Sequence, residues 1–356
     1  MTNALPARRS HTEQDIEEEI MRIRFFGAII FPLLALLPGS YTVAAEPLKV
    51  RIGWVVTPAQ LTPVLFKKKE ILKHYGKSYV VDPIRFRGSA LQITALAAGE
   101  VDIAALSFSA FALAIQNAGM NDLRAVADVF QDGIEGHYSI EYLVRADSGI
   151  NSVQDLKGKR LADNGIGGAI DMAMRRHLRK HGLEDKRDYT VTEVRFPNMG
   201  AMLHEKKVDL IGVLMPFAAG AKKKGPVKTL FTMKEAMGPS QMIFWSAREP
   251  FLSKNRPALI DFFEDQQRAL KWFLDPKNRD EALGIIAQFT KRDAKQYASW
   301  VFTDKDMYRD PNSLLNVQAL RSNIALQREL GFLKIDIDVD KHVDMSLVKE
   351  AGKRLN

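Results

Sequence analysis

In residues 161–182, "LADNGIGGAIDMAMRRHLRKHG", a strand end passes through Asn164, Gly165, Ile166, Gly167 and Gly168 and continues as a helix. Glycines at such a junction serve a tight turn, or they let a ligand come close to the backbone. A helix N-terminus carries unpaired N–H groups and a partial positive charge, which suits an anion. The sequence alone leaves both readings open.

The same grammar recurs on either side. Alternating or continuous apolar runs predict strands at 48–56, 79–86, 101–106, 124–130, 138–145, 189–196 and 208–214. Helices are expected over 65–76 and 90–99, with Ser89 as an N-cap, and around 198–207. From Asn255 onward the chain reads as helical, over 257–274, 279–289, 293–300 and 312–331. Strands alternating with helices over short loops mean an α/β fold with mainly parallel sheets.

In open α/β sheets, ligands sit beyond the carboxyl ends of the strands. Those ends carry Trp54, Arg87 with Gly88 and Ser89, Ser107 with Phe108, Asn164 to Gly168, Phe196, and Met215 with Phe217. They are small, polar or aromatic, and none brings an obvious catalytic set. The aromatic side chains Trp54, Phe108, Phe196 and Phe217 are candidates for a pocket wall.

The length of 356 residues fits two lobes better than one small core, and the composition is that of a globular protein, 46% hydrophobic and 26% charged. The formal charge of +8 is spread among acidic neighbours, which argues against a nucleic-acid partner and for anionic ligands. The absence of cysteine excludes disulfides, thiolate metal sites and a cysteine nucleophile, and is compatible with an oxidising compartment. Residues 1–45 read as an extension plus an export signal. Arg22 and Arg24 form the basic segment, 25–37 the apolar one, and Val43-Ala44-Ala45 the cleavage site, with translation expected to start at Met21. The apolar run is shorter than the roughly 20 residues of a membrane span, although an uncleaved anchor is the alternative.

Several motifs fail on inspection. A dinucleotide fingerprint needs glycine at 170, where Ile170 stands, and no phosphate-binding G-x-x-x-x-G-K-[ST] occurs. Asp336, Asp338 and Asp340 have calcium-loop spacing, but Lys341 and Leu347 occupy decisive positions. His177 and His181 share a helix face with Arg175, Arg176, Arg179 and Lys180, which would repel a metal and suits a solvated basic face. No catalytic residue, metal or cofactor is therefore expected.

"RIGW" at 51–54, "ALAAGEVDIAAL" at 95–106, "SGINSVQDLKGKRLA" at 148–162, "FPNMGAMLHEKKVDLIG" at 196–212 and "MPF" at 215–217 occur in that order. Together they resemble the periplasmic solute-binding proteins of nitrate/sulfonate/taurine-type ABC importers. The resemblance implies a two-lobed binding protein of the second periplasmic type, each lobe a mainly parallel sheet flanked by helices. It assigns 46–142 with 243–356 to one lobe and 143–242 to the other, with crossings near 140–146 and 235–245. It implies ligand contacts at Trp54, Arg87, Gly88, Ser89, Ser107, Phe108, Asn164, Gly165, Gly167, Gly168 and Met215. An ABC permease and its ATPase would be the partners, and the chain would act as a periplasmic monomer. Trp54-Val55 replaces a tyrosine-glutamine common in the family, and Met215 replaces a polar residue. Both changes make the cleft more apolar and favour an aromatic carboxylate or sulfonate over nitrate or taurine. The alternatives are a ligand-sensing subunit of a membrane sensor, or an enzyme on the same fold. The thiamine-pyrimidine synthases that resemble this family depend on a cysteine-rich motif, absent here.

Overall fold

The computed structural model describes residues 46–355. The expected export signal, its cleavage site and the start at Met21 lie outside them. The strands are β1 (Leu48–Trp54), β2 (Tyr79–Arg85), β3 (Ile103–Ser107), β4 (Leu123–Asp132), β5 (Glu141–Arg145), β6 (Arg160–Asp163), β7 (Thr190–Glu193), β8 (Leu210–Val213), β9 (Val227–Thr232) and β10 (Ser240–Arg248). Strands β9 and β10 go beyond those expected from the sequence.

Two five-stranded sheets result, ordered β2-β1-β3-β10-β4 and β7-β6-β8-β5-β9, each flanked by helices, one sheet to each of two lobes. Pairing is parallel around β1 and around β6. Strand β10 runs antiparallel to both its neighbours, and so does β5. These are the strands that the chain makes first on arriving from the other sheet, so the crossing itself sets their direction. Strand β10 is flanked by a strand on each side, and it is buried at every residue but Arg248. In β1, Val50, Ile52 and Trp54 share one buried face, while Lys49 and Arg51 on the other pair with Asp82 and Asp102.

The Arg256–Leu274 helix covers the first sheet, stacking Phe262 on Phe66 and placing it edge-on to Tyr79. Its buried Asp265 accepts from Tyr79 Oη and from the backbone N–H groups of Lys73 and His74. That bonding displaces the helix expected over 65–76. Only Thr62–Leu65 and one 3-10 turn at Lys69–Ile71 form, because the donors of Lys73 and His74 serve Asp265 instead of a helical turn. Near the C-terminus the expected helices shorten to Lys295–Ala298 and Val317–Glu329, and Ser346–Lys353 adds one more. None of the described helices is long and apolar enough to cross a membrane.

Two segments join the sheets, 133–140 and 233–239. Asp132, at the end of β4, accepts from Ser139 Oγ at 2.6 Å and Ile140 N at 2.8 Å. Ser139 Oγ in turn accepts from Lys234 N, so one carboxylate ties both crossings together. They also pack backbone to backbone. A Cβ on Gly133 would lie 2.6 Å from the Gly238 carbonyl oxygen.

Candidate functional site

A cavity of about 690 Å³ opens between the lobes, lined from both. Apolar groups dominate its wall, among them Ile93, Leu113, Phe130, Met242 and Ile243. Arg87 and Glu193 are the charged residues lining it, one from each lobe.

On the first lobe the wall is built around the Ser89–Ala97 helix. Buried Gln92 clamps this helix to the sheet. Its Nε2 donates to the Ala105 carbonyl at 2.9 Å, and its Oε1 accepts from Ala105 N at 2.8 Å. The helix N-terminus is thereby held at the cavity. Gly88, not Ser89, occupies the N-cap position and offers no side chain, while Ser89 Oγ accepts from Ser107 N. The first turn contains no acidic residue, so its amides and dipole meet no carboxylate of their own helix. Arg87 beside it is exposed and has no ion-pair partner among the described residues. Ser107 Oγ caps the Phe108–Ala118 helix by accepting from Ala110 N and lies 3.0 Å from Ser109 Oγ.

Gln60, which sequence reasoning missed, also lines the cavity. Its Oε1 accepts from Val55 N at 2.7 Å, and its amide nitrogen has no protein partner among the described residues. The buried Arg309–Asp306 pair fixes this loop, Arg309 donating to the carbonyls of Pro58 and Ala59. A lone glutamine two residues after Pro58, inside a proline-bounded loop, carries no signal that would have singled it out.

On the second lobe, residues 165–168 form a four-residue turn closed by Gly168 N donating to Gly165 O at 2.9 Å. Gly167 adopts φ +77°, a conformation that suits glycine, and a Cβ on Gly168 would meet Gly165 O at 2.8 Å. The turn's donors are already spent. Gly165 N donates to Asp163 Oδ1, Ile166 N to Glu193 Oε1 at 2.8 Å, and Gly167 N to Asp171 Oδ2 at 2.7 Å. Asp171 sits in the first turn of the Ala169–Lys180 helix and is paired to Arg175, which also pairs with Asp185. Burial, reinforced by Asp171, raises the Asp163 carboxyl well above the usual range.

Of the residues expected to meet a ligand, Arg87, Gly88, Ser89, Ser107, Asn164, Gly165, Gly167, Gly168 and Phe196 line the cavity. Trp54, Phe108, Met215 and Phe217 do not. Trp54 shares the β1 face of Val50 and Ile52, packing edge-on to Phe289, with Arg85 over its ring. Phe108 is wholly buried in the core, and Phe217 stacks on Phe196 at 5.3 Å, with Met215 packed against the same buried cluster.

His177 stacks on Phe231 at 4.3 Å, so that face is partly buried where the sequence suggested full solvation, and burial lowers its pKa to about 4. Asp336 and Asp340 pair with Arg328 and Arg321. His74, Asp261 and Glu264 lie within chelating distance of one another, but Arg268 and Arg354 already pair with the two carboxylates.

No curated protein matches the chain. Solved structures do. The periplasmic nitrate-binding protein NrtA from Synechocystis PCC 6803 superposes with a TM-score of 0.69 at 16% identity, over 87% of this chain and 90% of its own. The alkanesulfonate-binding protein SsuA from Xanthomonas axonopodis pv. citri, solved bound to MOPS, gives 0.66 at 20% identity over 85% and 99%. A desulfurization enzyme, DSZB, shares the fold at 11% identity and a TM-score of 0.62, over 87% and 100%. At these identities the likeness is one of fold. The NMT1-like family matches residues 43–287, more than half of the sequence, and the chain belongs to that family.

Proposed function

We propose that this protein is the solute-binding component of an ABC importer, a periplasmic monomer that captures a small organic acid between its lobes. The two lobes, one sheet each, close about the two crossings, 133–140 and 233–239. The observation that carries this reading is a cavity of about 690 Å³ with an apolar wall, in which an unpaired arginine stands beside an uncapped helix N-terminus. Arg87, the first-turn amides from Ser89 and the free amide of Gln60 receive the acid group. The apolar wall suits an aromatic carboxylate or sulfonate better than nitrate. Binding without chemistry fits the same wall, whose serine hydroxyls have no histidine or lysine beside them among the described residues. The names of the relatives support this reading, a bound solute in one and nitrate in another.

Protein recovered from the periplasm, with an intact mass beginning at Glu46, tests it in a thermal-shift screen of carboxylates and sulfonates. A true ligand at about 100 times its Kd contributes roughly 2.7 kcal/mol, which raises the melting temperature by several degrees. A flat response across both acid classes contradicts the proposal.

A further inference from the structure

The two walls of the cleft are chemically unequal. Four consecutive amides of the second-lobe turn, 165 to 168, are occupied, three of them by carboxylates of Asp163, Glu193 and Asp171. Glu193 lines the cavity itself, so an acid group approaching this wall meets a like charge and no donor from the turn. The first-lobe wall has the opposite character, with Arg87 unpaired and no acid in the first turn of its helix.

What the second lobe does offer is an apolar side chain. Ile166, at the tip of the turn, is 53% exposed, and Leu91, in the first turn of the opposite helix, is 52% exposed. They are two of three large hydrophobic residues so exposed among the described residues, and both line the cleft, one from each lobe. Exposed apolar groups of this size on facing walls lose unfavourable contact with water when something apolar fills the space between them.

Resting on the proposed binding function, we infer that the acid group is anchored by the first lobe alone, and that Leu91 and Ile166 grip the apolar body of the ligand as the second lobe closes. The ligand class is then an amphiphilic acid, one charged group on an uncharged hydrocarbon or aryl body, and a bare inorganic oxyanion is a poor ligand. The two residues set specificity for the body, while Arg87 serves every acid alike.

Calorimetric titration of the wild-type protein with sulfate, and with linear 1-alkanesulfonates and carboxylates from two to eight carbons, tests this. Affinity should rise about three- to fourfold per methylene over the first several carbons, the value of a buried methylene, with sulfate weakest. Leu91→Ala and Ile166→Ala should lose affinity in proportion to chain length, about twofold for the two-carbon acids and about tenfold or more for the eight-carbon ones. Because both side chains are exposed, the unliganded variants should melt close to wild type. Sulfate binding as tightly as octanesulfonate, or alanine variants that keep the wild-type dependence on chain length, would overturn the inference and leave the binding function standing. Failure of the wild type to bind any member of either series would overturn both.

Discussion

In the proposed function, Arg87 is the charged side chain on which anion recognition turns. It follows β2, stands at the cavity without a carboxylate partner, and adjoins a helix whose first turn is free of acid. A charge-assisted hydrogen bond in a partly dry cleft contributes about 1.5–3 kcal/mol. Arg87→Ala should therefore weaken every acidic ligand about tenfold to a hundredfold by calorimetry, with little change in unliganded stability, because the side chain is exposed. Affinity equal to wild type would remove Arg87 from the site. Its position was legible in the sequence, as an arginine between a strand and a Gly-Ser helix start. Trp54 was read the same way and lies elsewhere. Period-two alternation puts it on the face of Val50 and Ile52, covered by Phe289, and the side-chain face of a terminal strand residue depends on which helix arrives later in the chain. The glycine turn shows a related limit. Its backbone shape could be read from Gly167 and Gly168, whereas the occupation of its amides depends on Glu193, twenty-five residues beyond the turn.

At the scale of elements, the crossings are held by one buried carboxylate. Burial pushes Asp132 up to about 6 even though Ser139, Ile140 and Gly133 donate to it. Its pKa in the folded state is raised, so between about pH 4 and pH 6 the folded protein holds a proton that the unfolded chain has released. Stability from this group is therefore greatest in acid and declines as pH rises through that window, then levels off. Asp128, pushed to about 7 by burial, extends the decline upward. His177, lowered to about 4 by burial, acts with the opposite sign, costing stability as pH falls below about 6.5. Asp132→Asn isolates the first contribution. Its Nδ2 can donate to Ser139 Oγ, and denaturant unfolding from about pH 4 to pH 6 should show a smaller loss of stability than wild type. Parallel profiles would mean that Asp132 titrates normally. None of this was visible in the sequence, where Asp132 is one acid among 43 Asp and Glu residues. The shortened helix at 65–76 has a similar origin, since Asp265, nearly two hundred residues away, takes the donors that a helix would need.

For the whole molecule, the alternation of strand and helix from Leu48 to Val213 was enough to read the α/β class and the two lobes, because that pattern is local. Strand β10 was harder to see. Its run of buried residues carries no alternation, and it belongs to the first sheet only because the chain returns there. The apolar cleft wall is likewise a product of assembly, since Ile93, Leu113 and Met242 meet only once three separate segments are packed. In the proposed function the two lobes close over an organic acid by bending at 133–140 and 233–239. Small-angle scattering on the wild-type protein, with and without a saturating acid identified by melting, measures that motion. The radius of gyration should fall on adding the acid and stay constant on adding a neutral analogue of the same body. An acid that binds with measurable heat yet leaves the scattering curve unchanged would contradict closure of the lobes on the ligand.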